Sequence, residues 1–147
     1  MKKLLAKIKT FKFEILFFLF CVLVRTPDLG HDTFNTDVWK WKSRTYNFGQ
    51  GVFTANFSET LQKYHPGVTL MWLGTAGVKV YNLYYDIALG GPPKDNDVAT
   101  LFQLHFVQKL FIVLAISFAF TSAFHILKNL FGFGFSALSM ILLSMEP

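Results

Sequence analysis

Charge is scarce in this chain. Only 16% of its 147 residues are Asp, Glu, Lys or Arg, where an average soluble protein carries roughly a quarter. That is too little polar material to cover a water-soluble globule of this length. Cysteine is nearly absent as well. Cys21 stands alone inside an apolar run, which excludes an internal disulfide and a thiolate metal site and leaves it as a small packing residue. There is no internal repeat and no low-complexity linker.

Apolar residues dominate instead, at 52%, with 18 phenylalanines. They come in blocks: Ile15–Val24, Val68–Val78, Leu110–Leu127 and Phe131–Met145. A bilayer selects such blocks, because every turn of a spanning helix faces lipid or another apolar helix. The expected fold class is all-α, with polytopic transmembrane helices and a helical loop at the outer-face interface. The net charge of +5 could point to nucleic acid, but the basic residues do not gather on one soluble surface. Lys2, Lys3, Lys7, Lys9 and Lys12 directly precede an apolar run, as cytoplasmic flanks of membrane helices do. The lipid bilayer, and no nucleic acid, is the partner this implies.

Spans are expected at about 5–24, 67–88, 108–127 and 131–146. The first is short from Phe11 to Val24 and reaches spanning length only from Leu4, with the lysines snorkelling. A signal peptide has the same basic start, but no small-x-small cleavage site follows Val24, so an uncleaved anchor is expected. The second opens after His65-Pro66-Gly67, where Pro66 suits a first helical turn. It carries Lys79, Asn82 and Asp86 and stops at Gly90-Gly91-Pro92-Pro93. Lys79 is costly at full membrane depth, so this end should be partly in water or packed on protein. A long helix follows from about Val98 to Leu127, its first turns polar at Gln103, His105, Gln108 and Lys109. Lys128-Asn129 should make a tight turn before the fourth span. That span stops at Met145-Glu146-Pro147 without a charged anchor, which reads as the N-terminal part of a larger protein. The lysine-rich start places the N-terminus in the cytoplasm, Arg25–His65 outside, Gly90–Asp97 inside and Lys128 outside, in a multi-pass protein of the cell membrane. Lys128 itself votes against that parity.

Within the outer loop, Thr36–Phe48 reads as a helix capped by Asn35 or Thr36. Val38, Trp41, Thr45 and Phe48 share one face. Trp and Tyr beside lysines suit a helix lying in the interface plane, against the plainer reading of an amphipathic surface helix. Asp37, Trp41 and Arg44 fall on one stripe, with Asp37 and Arg44 about 10 Å apart by helical rise. A carboxylate so placed can take a proton while the guanidinium holds a phosphate. A solvated helix start explains Asp37 equally well.

Three features in order complete the pattern: a span ending in Arg25, a loop carrying Asn35-Thr-Asp37-Val-Trp-Lys-Trp41-Lys-Ser-Arg44, and Tyr64-His65-Pro66-Gly67-Val68-Thr-Leu-Met-Trp72. Together they resemble the start of a polytopic GT-C type glycosyltransferase, over essentially the whole chain. The closest groups are the protein O-mannosyltransferases and the aminoarabinose transferases that modify lipid A. Asp37 stands at the family's first-loop Asp, but Val38 replaces the Glu that commonly follows, and His65-Pro66-Gly67 replaces a Lys-Pro-Pro-like motif. Order and spacing carry the resemblance; no single motif is specific.

The resemblance implies that the full-length protein transfers a sugar from a polyprenyl-phospho-sugar donor to an acceptor glycan, lipid or protein on the extracytoplasmic face, and that this N-terminal part is inactive alone. Asp37 would be the general base on the acceptor hydroxyl or would help hold a divalent cation. The leaving phosphate needs positive charge or donors, with Arg44, His65 and Lys63 as the local candidates and Trp41 beside them as a substrate-binding residue. The competing reading is a small, non-enzymatic four-span protein that packs against a partner. A transporter subunit fits less well, since the spans lack a coherent polar stripe. Asp32 and Glu59 are the fallback acids. His105 and His125 are expected to hydrogen-bond a neighbouring helix rather than bind metal, having no second ligand one turn away. Gly74 and Gly77 miss the small-xxx-small spacing, so no helix crossing is expected there. Asn56-Phe57-Ser58 matches the N-glycosylation pattern.

Overall fold

The computed structural model describes residues 11–31, 36–61, 67–91 and 98–144, and every regular element in them is helical. These are α1 (Lys12–Arg25), α2 (Thr36–Phe53), a single 3-10 turn (Phe57–Thr60), α3 (Val68–Leu89), α4 (Val98–Phe131) and α5 (Phe133–Ser144). The all-α expectation is met. The chain divides into two compact units, one of Met1–Pro27 with Val113–Pro147, the other of Asp28–Ile112.

In the first unit, α1 buries Glu14, Phe17 and Cys21, the i, i+3, i+7 stripe of one helical face. That stripe meets Phe124 of α4 and Met140 of α5 in a small apolar core. Phe17 stacks on Phe124 with ring centres 4.9 Å apart. Phe11 lies by His125 at 5.7 Å, and the Arg25 guanidinium lies over Phe120 at 5.1 Å. As α1 ascends, its partners on α4 descend, so the two pack antiparallel. Phe13 meets Phe133 at 4.7 Å, so α5 starts beside the start of α1, and Met140 further along α5 joins the Phe17 and Cys21 cluster.

The expected order, with a span at 67–88 between the first span and the 108–127 span, has those two running parallel, whereas α1 and α4 run antiparallel. The turn is also displaced. Lys128 and Asn129 lie inside α4, which continues to Phe131, and the chain breaks at Gly132 (φ 84), a conformation that side chains resist. The Gly132 N–H still donates to Lys128 O at 3.1 Å, so the helix is followed to its last turn before the glycine ends it.

Most of this unit's apolar surface has no protein cover: Leu16 is 61% exposed, Leu23 67% and Phe118 70%. Among the described residues α4 is the one helix long and apolar enough to cross a bilayer, and only 17% of its apolar window is buried, unlike a soluble protein's core helix. Helix α5 is apolar but short (Phe133–Leu143). Helix α3 has 22 residues, yet Lys79, Asn82 and Asp86 leave it below that standard of apolarity.

The second unit is built on close helix approaches. Thr45 and Phe48 of α2 are buried, and Phe48 meets Trp72 of α3 edge-on at 5.2 Å. The Thr75 hydroxyl donates across the pair to Thr45 O at 3.1 Å. Helix α2 runs five residues beyond the expected Phe48, through Gly49 and Gly51 to Phe53. Both glycines are buried where a side chain would collide: a Cβ on Gly49 would meet Thr75 Cγ2 at 3.0 Å. Gly74 and Gly77 are crossing points after all, which corrects the sequence expectation. A Cβ on Gly74 would meet Thr45 Cγ2 of α2 at 2.7 Å, and one on Gly77 would meet Gln108 Cα of α4 at 2.9 Å. Residues three apart point about 60° apart around a helix, so the pair serves two different neighbours. The small-xxx-small rule describes one.

A stability prediction follows. In Gly77→Ala the new methyl meets backbone, which no rotamer relieves, so a loss of about 1–3 kcal/mol is expected. Gly134 has open space around it, and Gly134→Ala should gain up to about 1 kcal/mol from helix propensity. Thermal unfolding of the purified chain in detergent compares the two, and equal melting temperatures would refute the close crossing.

Candidate functional site

Helices α2, α3 and α4 of the second unit enclose a groove of about 170 Å³. Val38, Trp41, Leu70 and Ile112 give it apolar walls, and Lys42, His105, Gln108 and Lys109 give it polar ones. The Trp41 face expected from the sequence is what makes the wall. Trp41 is half-buried, and its indole occupies the space over Gly67, where a Cβ would come within 2.3 Å of the ring. Lys42 Nζ donates to Gln108 Oε1 at 3.0 Å, and Gln108 Nε2 donates to Gly74 O at 3.4 Å. These bonds hold an ammonium at the groove's edge beside His105, which is buried, and Lys109. Two lysines, Lys42 and Lys109, on a largely apolar lining suit a ligand with an anionic head and an apolar body.

The sequence-derived residues fall as follows. Asp37 sits in the first turn of α2, one residue before the groove-lining Val38, with its side chain 75% exposed and ion-paired to Lys40 at 3.4 Å. Its carboxylate near a helix N-terminus is stabilised by the dipole. The Arg44 guanidinium packs over the Trp41 ring at 5.3 Å, joining two of the stripe's members directly. Asn35, Asp32, Lys63 and His65 lie outside the described residues. Glu59 is exposed on the 3-10 turn, away from the groove's lining. Ser58 donates to Asn56 Oδ1 at 2.6 Å, so the glycosylation-like triplet forms an exposed local turn. The groove adds residues that the sequence reading had not assigned to a site: Lys42, Gln108 and Lys109. For Gln108 and Lys109 the signal was the polar first half of an otherwise apolar helix; Lys42 lies on α2.

A second cluster was missed altogether. Glu14 is buried on α1, with His125 Nδ1 2.8 Å from its Oε1 and Lys128 Nζ donating to the same oxygen. Asn129 Nδ2 lies 3.2 Å from His125 Nε2. An amide donating there leaves Nδ1 to carry the proton toward the carboxylate. His125 thus bonds a neighbouring helix, as expected of it. The signal for Glu14 was an acid within a basic and apolar run, since an ionisable residue on such a helix always demands a partner.

Among the described residues no three His, Cys, Asp or Glu side chains gather closely enough to hold a metal ion. No family model, curated protein or solved structure matches the chain.

Proposed function

We propose that the chain serves sugar transfer from a polyprenyl-phosphate donor at the extracytoplasmic face of a membrane. The observation that supports this best is the groove itself: Trp41 opposed by Lys42, His105 and Lys109, with Asp37 one helical turn before Trp41. Lys42 and Lys109 hold the phosphate and stabilise its charge as it leaves. The aromatic and aliphatic walls hold the first isoprene units. Asp37, in water at the rim, takes the proton of the acceptor hydroxyl as that oxygen attacks the anomeric carbon. Arg44, held by Trp41, adds a bidentate donor.

Farnesyl phosphate is the simplest probe. It should quench tryptophan fluorescence of the purified chain, and Lys42→Ala and Lys109→Ala should each weaken binding about ten-fold, as loss of a charged hydrogen bond does. Farnesol should bind far less well. If farnesol and farnesyl phosphate bind equally, the groove recognises no phosphate, and the reading as a non-enzymatic packing protein takes its place.

The same proposal carries a revised topology. Helix α1 crosses outward, the Arg25–His65 loop lies outside, the second half of α4 returns, and α5 leaves again. The antiparallel order of α1 and α4 supports this, as does the limited apolarity of α3. Lys128 then joins the N-terminal lysines on the cytoplasmic side, which suits the positive-inside rule. Ser58→Cys should react with an impermeant maleimide in intact cells, and Asn129→Cys only after permeabilisation. Labelling of Asn129→Cys from outside would reject the arrangement.

A further inference from the structure

We infer that the Asp28–Ile112 unit carries a carbohydrate site distinct from the groove, in a cavity of about 390 Å³ lined by His31, Tyr81, Tyr84, Phe102, Gln103 and Phe106. It shares no lining residue with the groove. Its lining is aromatic, and its polar groups are held in place. The Tyr81 and Tyr85 hydroxyls both donate to Gln103 Oε1, each at 3.1 Å, and Tyr81 also reaches Thr100 O at 3.3 Å. With its oxygen engaged by two phenols, Gln103 offers its NH2 group to a ligand. His31 is positioned by a tight turn in which Asp28 (φ 55) and Gly30 (φ 89) are both left-handed. Its N–H donates to Asp28 O at 3.0 Å, and its ring stacks on Phe102 at 6.2 Å and 19°. Gly30 permits that placement, since a Cβ there would stand 2.9 Å from Phe106 Cβ.

The chemistry of the lining selects among ligands. A lone phosphate would look for lysine or arginine, and neither lines this cavity. An isoprenoid chain would have no use for a fixed amide and an imidazole. A pyranose uses both parts: its C–H face packs on the negative face of an aromatic ring, and its hydroxyl rim meets the amide and the imidazole. Few placed polar groups in a mostly aromatic pocket of this size are the usual make-up of a small-molecule site. The assignment of this sugar as the transfer acceptor rests on the proposed glycosyl transfer. The binding of the sugar does not.

Saturation-transfer NMR on the purified chain tests it, with methyl glucoside, methyl mannoside and methyl galactoside as probes. At least one should receive saturation on one ring face from the aromatic protons. Tyr84→Ala and Gln103→Leu should each weaken that binding about five-fold, with helical content by circular dichroism unchanged. Gly30→Ala, which displaces His31, should weaken it too. The site is rejected if none of the sugars is saturated, if both Tyr84→Ala and Gln103→Leu bind sugar as the wild type does, or if farnesol displaces the sugar competitively. Sugar binding without farnesyl phosphate binding would leave this site standing and remove the donor reading; the reverse result would do the opposite.

Discussion

Asp37→Asn should lower sugar transfer by about 10²–10⁴-fold, the usual contribution of a general base, while expression, membrane insertion and farnesyl phosphate binding stay unchanged. Asparagine keeps the size of aspartate and its ability to stabilise a helix start, but it cannot accept the proton. The location supports a chemical rather than a structural role. The side chain is 75% exposed and is ion-paired with Lys40, also exposed at 61%, and a surface pair of that kind contributes little to stability. Arg44→Ala should act differently, raising the donor concentration needed for half-maximal rate, because the guanidinium is seated on Trp41 beside the groove. Arg44→Lys should rescue only part of that loss, for want of the planar fork. Glu59→Gln and Asp32→Asn are the controls among the outer-loop acids. Transfer measured in membranes from a polyprenyl-phospho-sugar decides the matter. Near-normal turnover in Asp37→Asn with abolition in Asp32→Asn would mean the wrong carboxylate was chosen, and indifference to both would remove the enzymatic reading.

What could be read from the sequence is what depends on one residue and its neighbours at fixed spacing. The apolar blocks gave α1 and the lower half of α4, and the Val38, Trp41, Thr45, Phe48 spacing gave the face with which α2 meets its neighbours. The Gly90-Gly91 stop is seen as Gly90 in the left-handed region after Leu89. What stayed hidden depends on two helices at once. Gly49 and Gly51 look like helix breakers in isolation, yet α2 continues because close neighbours occupy the space their side chains would take. Gly74 and Gly77 look mis-spaced until each is matched to its own partner. The α3 segment looks like a span by length, but its apolarity falls below that of α4. For the site, Trp41 and Arg44 were legible as a pair on one stripe. Lys42, Gln108 and Lys109 were not, because their convergence is a property of the α2–α4 packing.

The largest stability effect is expected at the buried Glu14 cluster. Lys128→Met should destabilise the chain by roughly 3–5 kcal/mol, because it leaves a buried carboxylate without its permanent counter-charge. The Glu14 side chain is 7% exposed, Lys128 21% and His125 42%, so the acid is the member that cannot escape to solvent. Its Oε2 is buried with no hydrogen-bond partner among the described residues, and Oε1 faces both His125 and Lys128. Glu14→Leu should cost less, since the freed lysine can extend its stem and carry its charge outward. The double substitution Glu14→Leu with Lys128→Met should recover most of the loss seen in Lys128→Met alone, because an apolar pair of similar volume replaces a buried ion pair at little net cost. Thermal unfolding in one detergent at one pH, followed by circular dichroism, gives all three values, with Lys40→Met as the exposed-lysine control. A Lys128→Met chain as stable as Lys40→Met, or a double variant worse than either single one, would show that the cluster is not what holds α1 against α4.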